Sequence, residues 1–193
     1  TSANPSAVDL HYVAFGGTNK GMAIGGFMGD GADNRTISDS QQMPFTPTII
    51  GLKARTQTQG MCVRTPSMTL EAVPIFNTSV FANNRIQSIV TNGFVVGSDT
   101  PVNASATRYS YFAFPALPKT MSATGTYVGT GVAQSITGLQ FKPDFLLIKG
   151  DTAQQAVVAT STMDVGFARP ISATTYGSNY INSLDSYGFT VGT

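Results

Sequence analysis

Charge and chemically versatile side chains are scarce in this sequence. Of its 193 residues only 11% are charged, one is Cys, one is His and none is Trp. Eleven basic and ten acidic side chains leave a net charge of +1, which gives no broad electrostatic attraction to nucleic acid or to an acidic membrane. One His and one Cys exclude metal sites built from clusters of these residues, and the lone Cys62 excludes an internal disulfide. We therefore expect no cofactor, no metal, no nucleic acid and no membrane partner.

Long apolar runs are absent as well. The uninterrupted apolar segments are only a few residues long, too short to span a bilayer. Residues 1–20 contain no basic region followed by an apolar core, so no signal peptide is visible, and Thr1 fits either a removed initiator Met or a cleavage upstream. Apolar residues nevertheless make up 41% of the chain and recur in short patterned runs, which indicates a folded protein.

An internal repeat dominates what the sequence does contain. Four blocks recur in the same order at a spacing of 95–100 residues. In the first copy they are residues 11–15, 25–29, 42–53 and 84–98, and in the second copy they are residues 110–114, 125–129, 138–149 and 180–193. Repetition in constant order predicts two diverged copies of one structural unit.

Each block is typical of a β-strand. The Phe-x-Pro pattern before an apolar run, at Phe45 and Phe141, places Pro where a strand begins and no ladder donor is needed. The Gly-Phe-x-Val-Gly pattern, at residues 93–97 and 188–192, alternates with period two. Gly-, Asn- and Asp-rich turns separate the blocks.

The sequence therefore predicts an all-β protein. We expect two tandem, related antiparallel β-sandwich units of jelly-roll or concanavalin-like type, at residues 1–98 and 99–193. We expect negligible helix, at most one helical turn within residues 84–90 or 179–184.

The order of the blocks is circular. Residues 99–105 and 108–111 continue the first copy, and a similar continuation of the second copy stands at residues 2–6 and 10–12. An N-terminal strand at residues 8–15 would then complete either the second unit or a unit in a neighbouring chain.

These blocks resemble a module found in bacteriophage tail and tail-fibre proteins. That module runs Tyr-x-Gly-x-Gly, Gln-x-Ile, Phe-x-Pro-Asp-apolar-Ile-Lys, Ser-Leu/Phe-Asp-Ser-x-Gly-Phe-Thr-Val-Gly, Val-Asn-x-Ser/Gly and Tyr-x-x-x-Ala-Phe. The matching residues are 127–131, 134–136, 141–149, 183–193, 102–105 and 109–114. The resemblance implies a virion component with a concanavalin-like sandwich, made in the host cytoplasm, and it implies no catalytic residues.

The function expected is therefore that of a non-enzymatic virion structural protein, located in the tail, a fibre or a decorated capsid. It would act by self-assembly and by attachment to other virion proteins. The alternative is a carbohydrate- or receptor-binding domain on the same scaffold, with a host-surface glycan as partner. A hydrolase is disfavoured, because a Ser-His-Asp triad would depend on His11, whose counterpart in the other copy is Ser110.

The remaining candidate residues have ordinary structural interpretations. Cys62 is expected to be a small buried hydrophobe. The carboxylates lie mostly beside turn residues, and residues 30–34 predict a turn rather than a calcium loop. The glycosylation patterns at Asn34, Asn77 and Asn103 are interpreted as incidental. Exposed tyrosines could stack on sugars; the candidates are Tyr176, Tyr180 and Tyr187.

Overall fold

The computed structural model describes residues 14, 21–68, 71, 73–77, 79–171 and 177–193. Within them the chain is all-β, as the sequence predicts, with fourteen strands and one helical turn. In chain order the elements are β1 (Ala23–Met28), β2 (Arg35–Ser38), β3 (Ile49–Ala54), β4 (Cys62–Arg64), β5 (Ile86–Val90), β6 (Gly93–Val96), α1 (Thr100–Asn103), β7 (Arg108–Phe114), β8 (Gln134–Thr137), β9 (Phe145–Ile148), β10 (Val157–Thr160), β11 (Phe167–Pro170), β12 (Gly177–Ser178), β13 (Ile181–Asp185) and β14 (Gly188–Val191).

Two antiparallel sheets enclose the main core in residues 23–114, here called the first half. One sheet has the strand order β1-β7-β3-β4 and the other has the order β2-β6-β5. Both sheets contribute buried side chains to one hydrophobic cluster, for example Leu52 from β3 and Phe94 from β6. The alternation of buried residues along these strands follows from the opposite directions of successive side chains.

Residues 125–193, here called the second half, repeat part of this arrangement. The sheet β13-β14-β8 has the same order as β5-β6-β2. The strand pair β9-β10 corresponds to β3-β4, and β11 and β12 extend that sheet on the far side of β10. The expected inward positions are confirmed in both halves, because Phe94, Val96, Phe189 and Val191 are all buried.

Turn chemistry joins the repeated hairpins. β5 and β6 are connected by the two residues Thr91 and Asn92, and Asn92 has a φ of 57°, in the left-handed region that Asn tolerates. Pro47 and Pro143 each stand two residues before the strand that follows, β3 or β9, in line with the Phe-x-Pro expectation.

The two halves contact each other through the outer faces of their larger sheets. Val63 and Phe76 of the first half form a buried cluster with Ala156 of the second half, and Met61 and Leu147 pack against it. Met61 and Ala156 occupy equivalent positions in the two copies, each one residue before the start of β4 or β10. Equivalent surfaces therefore face one another.

Three expectations from the sequence are corrected. The division between residues 98 and 99 cuts β7 off from its own sheet, where it lies between β1 and β3. The helical turn is α1 rather than residues 84–90 or 179–184, which form β5 and β13; Pro101 in its first turn favours helix there. Residues 125–129 are not a strand, unlike their counterpart β1.

The predicted N-terminal strand at residues 8–15 lies outside the described residues, apart from Ala14. Ala14 is exposed and belongs to no strand.

Candidate assembly edge

The acidic turn at residues 30–34 is stabilised by hydrogen bonds and an ion pair of the Asp30 carboxylate. Asp30 Oδ1 accepts hydrogen bonds from the Ala32 N–H and the Asn103 Nδ2, and Asp30 Oδ2 lies 3.2 Å from Arg35 Nε. The Ala32 hydrogen bond is the main reason that the pKa of Asp30 lies below its ordinary value. The carboxylate thus has structural partners, in agreement with the predicted turn.

The chemically reactive candidates occupy different environments. His11 lies outside the described residues. Cys62 is fully buried in the first-half core, as predicted, and burial raises the pKa of its thiol to about 12. Within the described ranges, no group of three or more His, Cys, Asp and Glu side chains is placed to hold a metal ion.

The described tyrosines considered for sugar stacking have different surroundings. The Tyr180 side chain covers Gly177, where an added Cβ would collide with its ring. Tyr187, at the β13–β14 hairpin, is 67% exposed. Tyr176 lies outside the described residues.

Two shallow clefts lie on the first half. One, of about 390 Å³, runs over the outer face of the β1-β7-β3-β4 sheet and is mostly apolar, with Ile24, Met61 and Phe112 in its lining. The other, of about 220 Å³, is polar and lies beside Arg35 and Tyr111. The Arg35 guanidinium stands 5.2 Å from the centre of the Phe27 ring there.

The central strand β7 explains why the first half is well packed. It pairs with β1 on one side and β3 on the other. Its residues Tyr109, Tyr111 and Ala113 point into the core and are at most 5% exposed. Tyr109 stacks on Phe27 and Tyr111 makes an edge contact with Phe94, each with ring centres 5.3 Å apart.

The second half has no such strand within the described part of the chain. There, β9 pairs only with β10, so no described strand covers its other edge. Phe145, the first residue of β9, is 42% exposed, and Leu146, Leu147 and Ile148 are only half-buried. An open strand edge presents unpaired backbone N–H and C=O groups to any extended segment that approaches it.

Exposed apolar side chains are concentrated in the same half. Val128 is 84% exposed and Val132 is 62% exposed, both close in sequence to the block that fails to form a strand. Val165 is 87% exposed. The edge of β9 that no described strand covers, which we call the open edge, is therefore the candidate site.

Sequence reasoning missed two structural roles. The fully buried Asn103 amide accepts hydrogen bonds from the Asp30 N–H and Arg35 Nη1 and donates to Asp30 Oδ1 and the Ala32 carbonyl, so it ties α1 to the β1–β2 turn. Lys53 and Lys149, at equivalent positions, each donate to two carbonyls of the turn that follows. The Val-Asn-x-Ser block and the repeated Lys were the available signals.

Comparison with protein-family models, with curated proteins and with solved structures finds no match to this chain. Among the described residues, no helix is long and apolar enough to cross a membrane.

Proposed function

We propose that the chain is a non-enzymatic structural protein of a bacteriophage virion that acts by assembling with copies of itself and with other virion proteins. Its two halves would be related sandwich units of the concanavalin-like type that the resemblance to tail-fibre modules implies. The virion would then be its location, after synthesis in the host cytoplasm.

The open edge of β9 is the observation that supports assembly. Within the described residues β9 is a half-buried, uncharged strand with one unpaired side, and monomers usually shorten, charge or cover such an edge. The exposed apolar side chains of the same half, Val128 and Val132, add surface that gains free energy when it is removed from water.

A second candidate function is binding of a host-surface glycan. It is favoured by Tyr187, whose ring stands 67% exposed at a hairpin tip, and by the polar cleft beside Arg35, Asp39 and Tyr111. A glycan array on the purified chain separates the two functions: a structural protein gives no selective signal, whereas selective binding lost in Tyr187→Ala favours the receptor-binding alternative.

A matched pair of substitutions tests assembly through the open edge. Phe145 and Phe167 are both 42% exposed and both begin a strand, but β9 has an open side whereas β11 lies between β10 and β12. Phe145→Lys places a charge on the open edge and should weaken self-association about tenfold, equivalent to about 1.4 kcal/mol. Phe167→Lys should leave self-association unchanged.

Sedimentation velocity over a concentration series measures the association, and negative-stain electron microscopy shows whether a regular array forms. A wild-type chain that stays monomeric at every concentration and fails to coat any particle would contradict the proposal. Equal weakening by both lysine substitutions would move the assembly surface away from β9.

A further inference from the structure

The described second half has no strand equivalent to β7 of the first half. In the first half the inserted strand β7 contributes Tyr109, Tyr111 and Ala113 to the core and lies between β1 and β3. In the described second half, the strand β9 corresponds to β3, and residues 125–129 correspond to β1, with no strand between them. Within the described residues, therefore, no strand takes the position in the second half that β7 takes in the first.

Residues 10–15 have the sequence that this position requires. They match residues 109–114, with Tyr12 in the place of Tyr111, Ala14 in the place of Ala113 and Phe15 in the place of Phe114. Tyr111 and Ala113 are both buried core residues. A strand of the same pattern would deliver Tyr12 and Ala14 to the core side of the second half.

The register of β7 transfers to β9 without adjustment. In the first half Ile50 lies opposite Ala113, and Leu52 lies opposite Tyr111. Because β3 and β9 are equivalent strands, the same pairing sets Leu146 opposite Ala14 and Ile148 opposite Tyr12. Gly51, which lies opposite Phe112, becomes Leu147 opposite Val13.

The volumes at that third pair are exchanged between the two copies. The Phe112 ring lies over Gly51, and a Cβ added to Gly51 would collide with it. The second copy has Leu147 where the first has Gly51, and residues 10–15 have Val13 where β7 has Phe112. A ring opposite a glycine has become two aliphatic side chains opposite each other, with the same total number of side-chain heavy atoms.

The space around equivalent glycines differs between the block at residues 25–29 and its counterpart at residues 125–129. A Cβ added to Gly25 would collide with the Tyr111 ring, whereas one added to the equivalent Gly125 would meet no atom within 4 Å. Gly125 therefore leaves room for an aromatic side chain such as Tyr12, which is the residue that the register brings there.

We propose that residues 10–15 of a second copy insert beside β9 and complete the second half, so that the protein assembles by strand exchange. This rests on the proposed function and identifies the contact that would link the copies. A second copy is the occupant because Ala14 of the same chain is exposed and outside any strand, whereas its counterpart Ala113 is fully buried. Exchange of an identical element between protomers gives closed rings or open fibres, according to whether the rotation closes.

A disulfide between two variants, each with one added cysteine, tests the contact. Directly opposite residues in an antiparallel pair have Cα atoms about 4.5–5.5 Å apart, within the range that a disulfide spans. Ala14→Cys and Leu146→Cys are co-expressed, purified folded and reduced, and then oxidised under mild conditions. Buried Cys62 stays protected. We expect a mixed dimer in which mass spectrometry finds the peptide with residue 14 linked to the peptide with residue 146.

The control pair is Ala14→Cys with Leu147→Cys, because the residue next along a strand points to the opposite face. It should give at least tenfold less mixed dimer. Equal yields from the two pairs would overturn the register. A double variant, Ala14→Cys with Leu146→Cys in one chain, that forms only an internal disulfide in a monomer would overturn strand exchange in favour of closure within the chain.

A volume swap gives a second readout that needs no cysteine. Val13→Phe should weaken association at least tenfold because the larger ring meets Leu147, and adding Leu147→Gly should restore it by recreating the Gly51–Phe112 pair.

Assembly without a disulfide link between residues 14 and 146 would overturn the strand exchange and leave the proposed function standing. A chain that never associates at any concentration would contradict the proposed function itself.

Discussion

The same sequence block behaves differently in the two halves of the molecule. Residues 23–28 form the strand β1, which pairs along its whole length with β7. Residues 125–129, which repeat its pattern, form no strand and expose Val128 to 84%. β-propensity depends on what a strand packs against, and the second copy has no neighbour at that position within the described chain. The repeated block therefore forms a strand only in the half where the described chain supplies a neighbouring strand.

The cores differ for the same reason. In the part of the chain that the structure describes, the first-half cluster contains sixteen buried residues, with Tyr109 and Tyr111 among them. The second-half cluster contains three: Ala159, Ala168 and Ile181. Phe189 turns to Tyr127, with ring centres 6.1 Å apart, whereas its counterpart Phe94 contacts Tyr111 from the inserted strand.

The largest expected effect comes from truncating the two equivalent phenylalanines. Phe94→Ala removes a fully buried ring from the first-half core and should lower the free energy of unfolding by about 3–5 kcal/mol. Phe189→Ala removes a ring that is 7% exposed beside a smaller cluster, and should cost the monomer no more than about 3 kcal/mol. Urea unfolding followed by circular dichroism measures both.

The loss of unfolding free energy caused by Phe189→Ala should be larger in the assembly than in the monomer, because an inserted Tyr12 would enclose that ring. Equal losses for Phe94→Ala and Phe189→Ala, in monomer and assembly alike, would contradict the difference between the two cores. Wild-type unfolding curves for both variants would show that neither strand contributes to a core.

Local patterns predicted most of the strands and could not predict their neighbours. The Gly-Phe-x-Val-Gly blocks became β6 and β14, with Phe94 and Phe189 buried, because period-two alternation is itself the property that a half-buried strand needs. The position of β7 between β1 and β3 depends on pairing across about 55–90 residues of chain, which no local pattern records.

The candidate site was foreseen only in outline. The circular order of the blocks indicated a strand missing from the second copy, and the open edge of β9 lies where that strand would pair. The role of Asn103 was not foreseen, since its four hydrogen bonds join segments about 70 residues apart. Its matching Val-Asn-x-Ser block identified the residue but not its partners.

A smaller effect is expected at the Gly51–Phe112 pair, where the halves use different volumes. Gly51→Leu alone forces the Phe112 ring out of its place and should destabilise the chain by about 1–3 kcal/mol. Gly51→Leu combined with Phe112→Val copies the second-half combination and should recover most of that loss. Thermal unfolding of the single and double variants measures the coupling.

Additive effects in this cycle would mean that the two positions do not share space, and the inferred exchange of volumes would lose its basis. Phe27→Val serves as the control, because Phe27 stacks on Tyr109 on the core side of the sheet and does not share the space of Gly51 and Phe112. It should not rescue Gly51→Leu.

The smallest effect on stability at neutral pH is expected at Cys62, whose counterpart in the second half is Val157. Each lies opposite an equivalent residue, Leu52 or Ile148. Cys62→Val is close in volume and should change the free energy of unfolding by less than about 1.5 kcal/mol at pH 7. Its effect should instead appear at high pH, because burial raises the folded-state pKa of the thiol from 9.0 to about 12.

The sign follows from proton linkage. The folded chain keeps the thiol proton to a higher pH than the unfolded chain, so the contribution of Cys62 is fully present below pH 9 and is lost as the pH rises towards 12. The wild type should therefore lose more stability than Cys62→Val over that interval.

Thiol labelling at pH 8 extends the test to the second half. Val157→Cys, in the Cys62→Val background, stands in a half-buried position and should react at least about tenfold faster than native Cys62. Equal labelling rates would mean that the strand pair β9–β10 is as well buried as β3–β4. That result would contradict the difference in packing between the two halves.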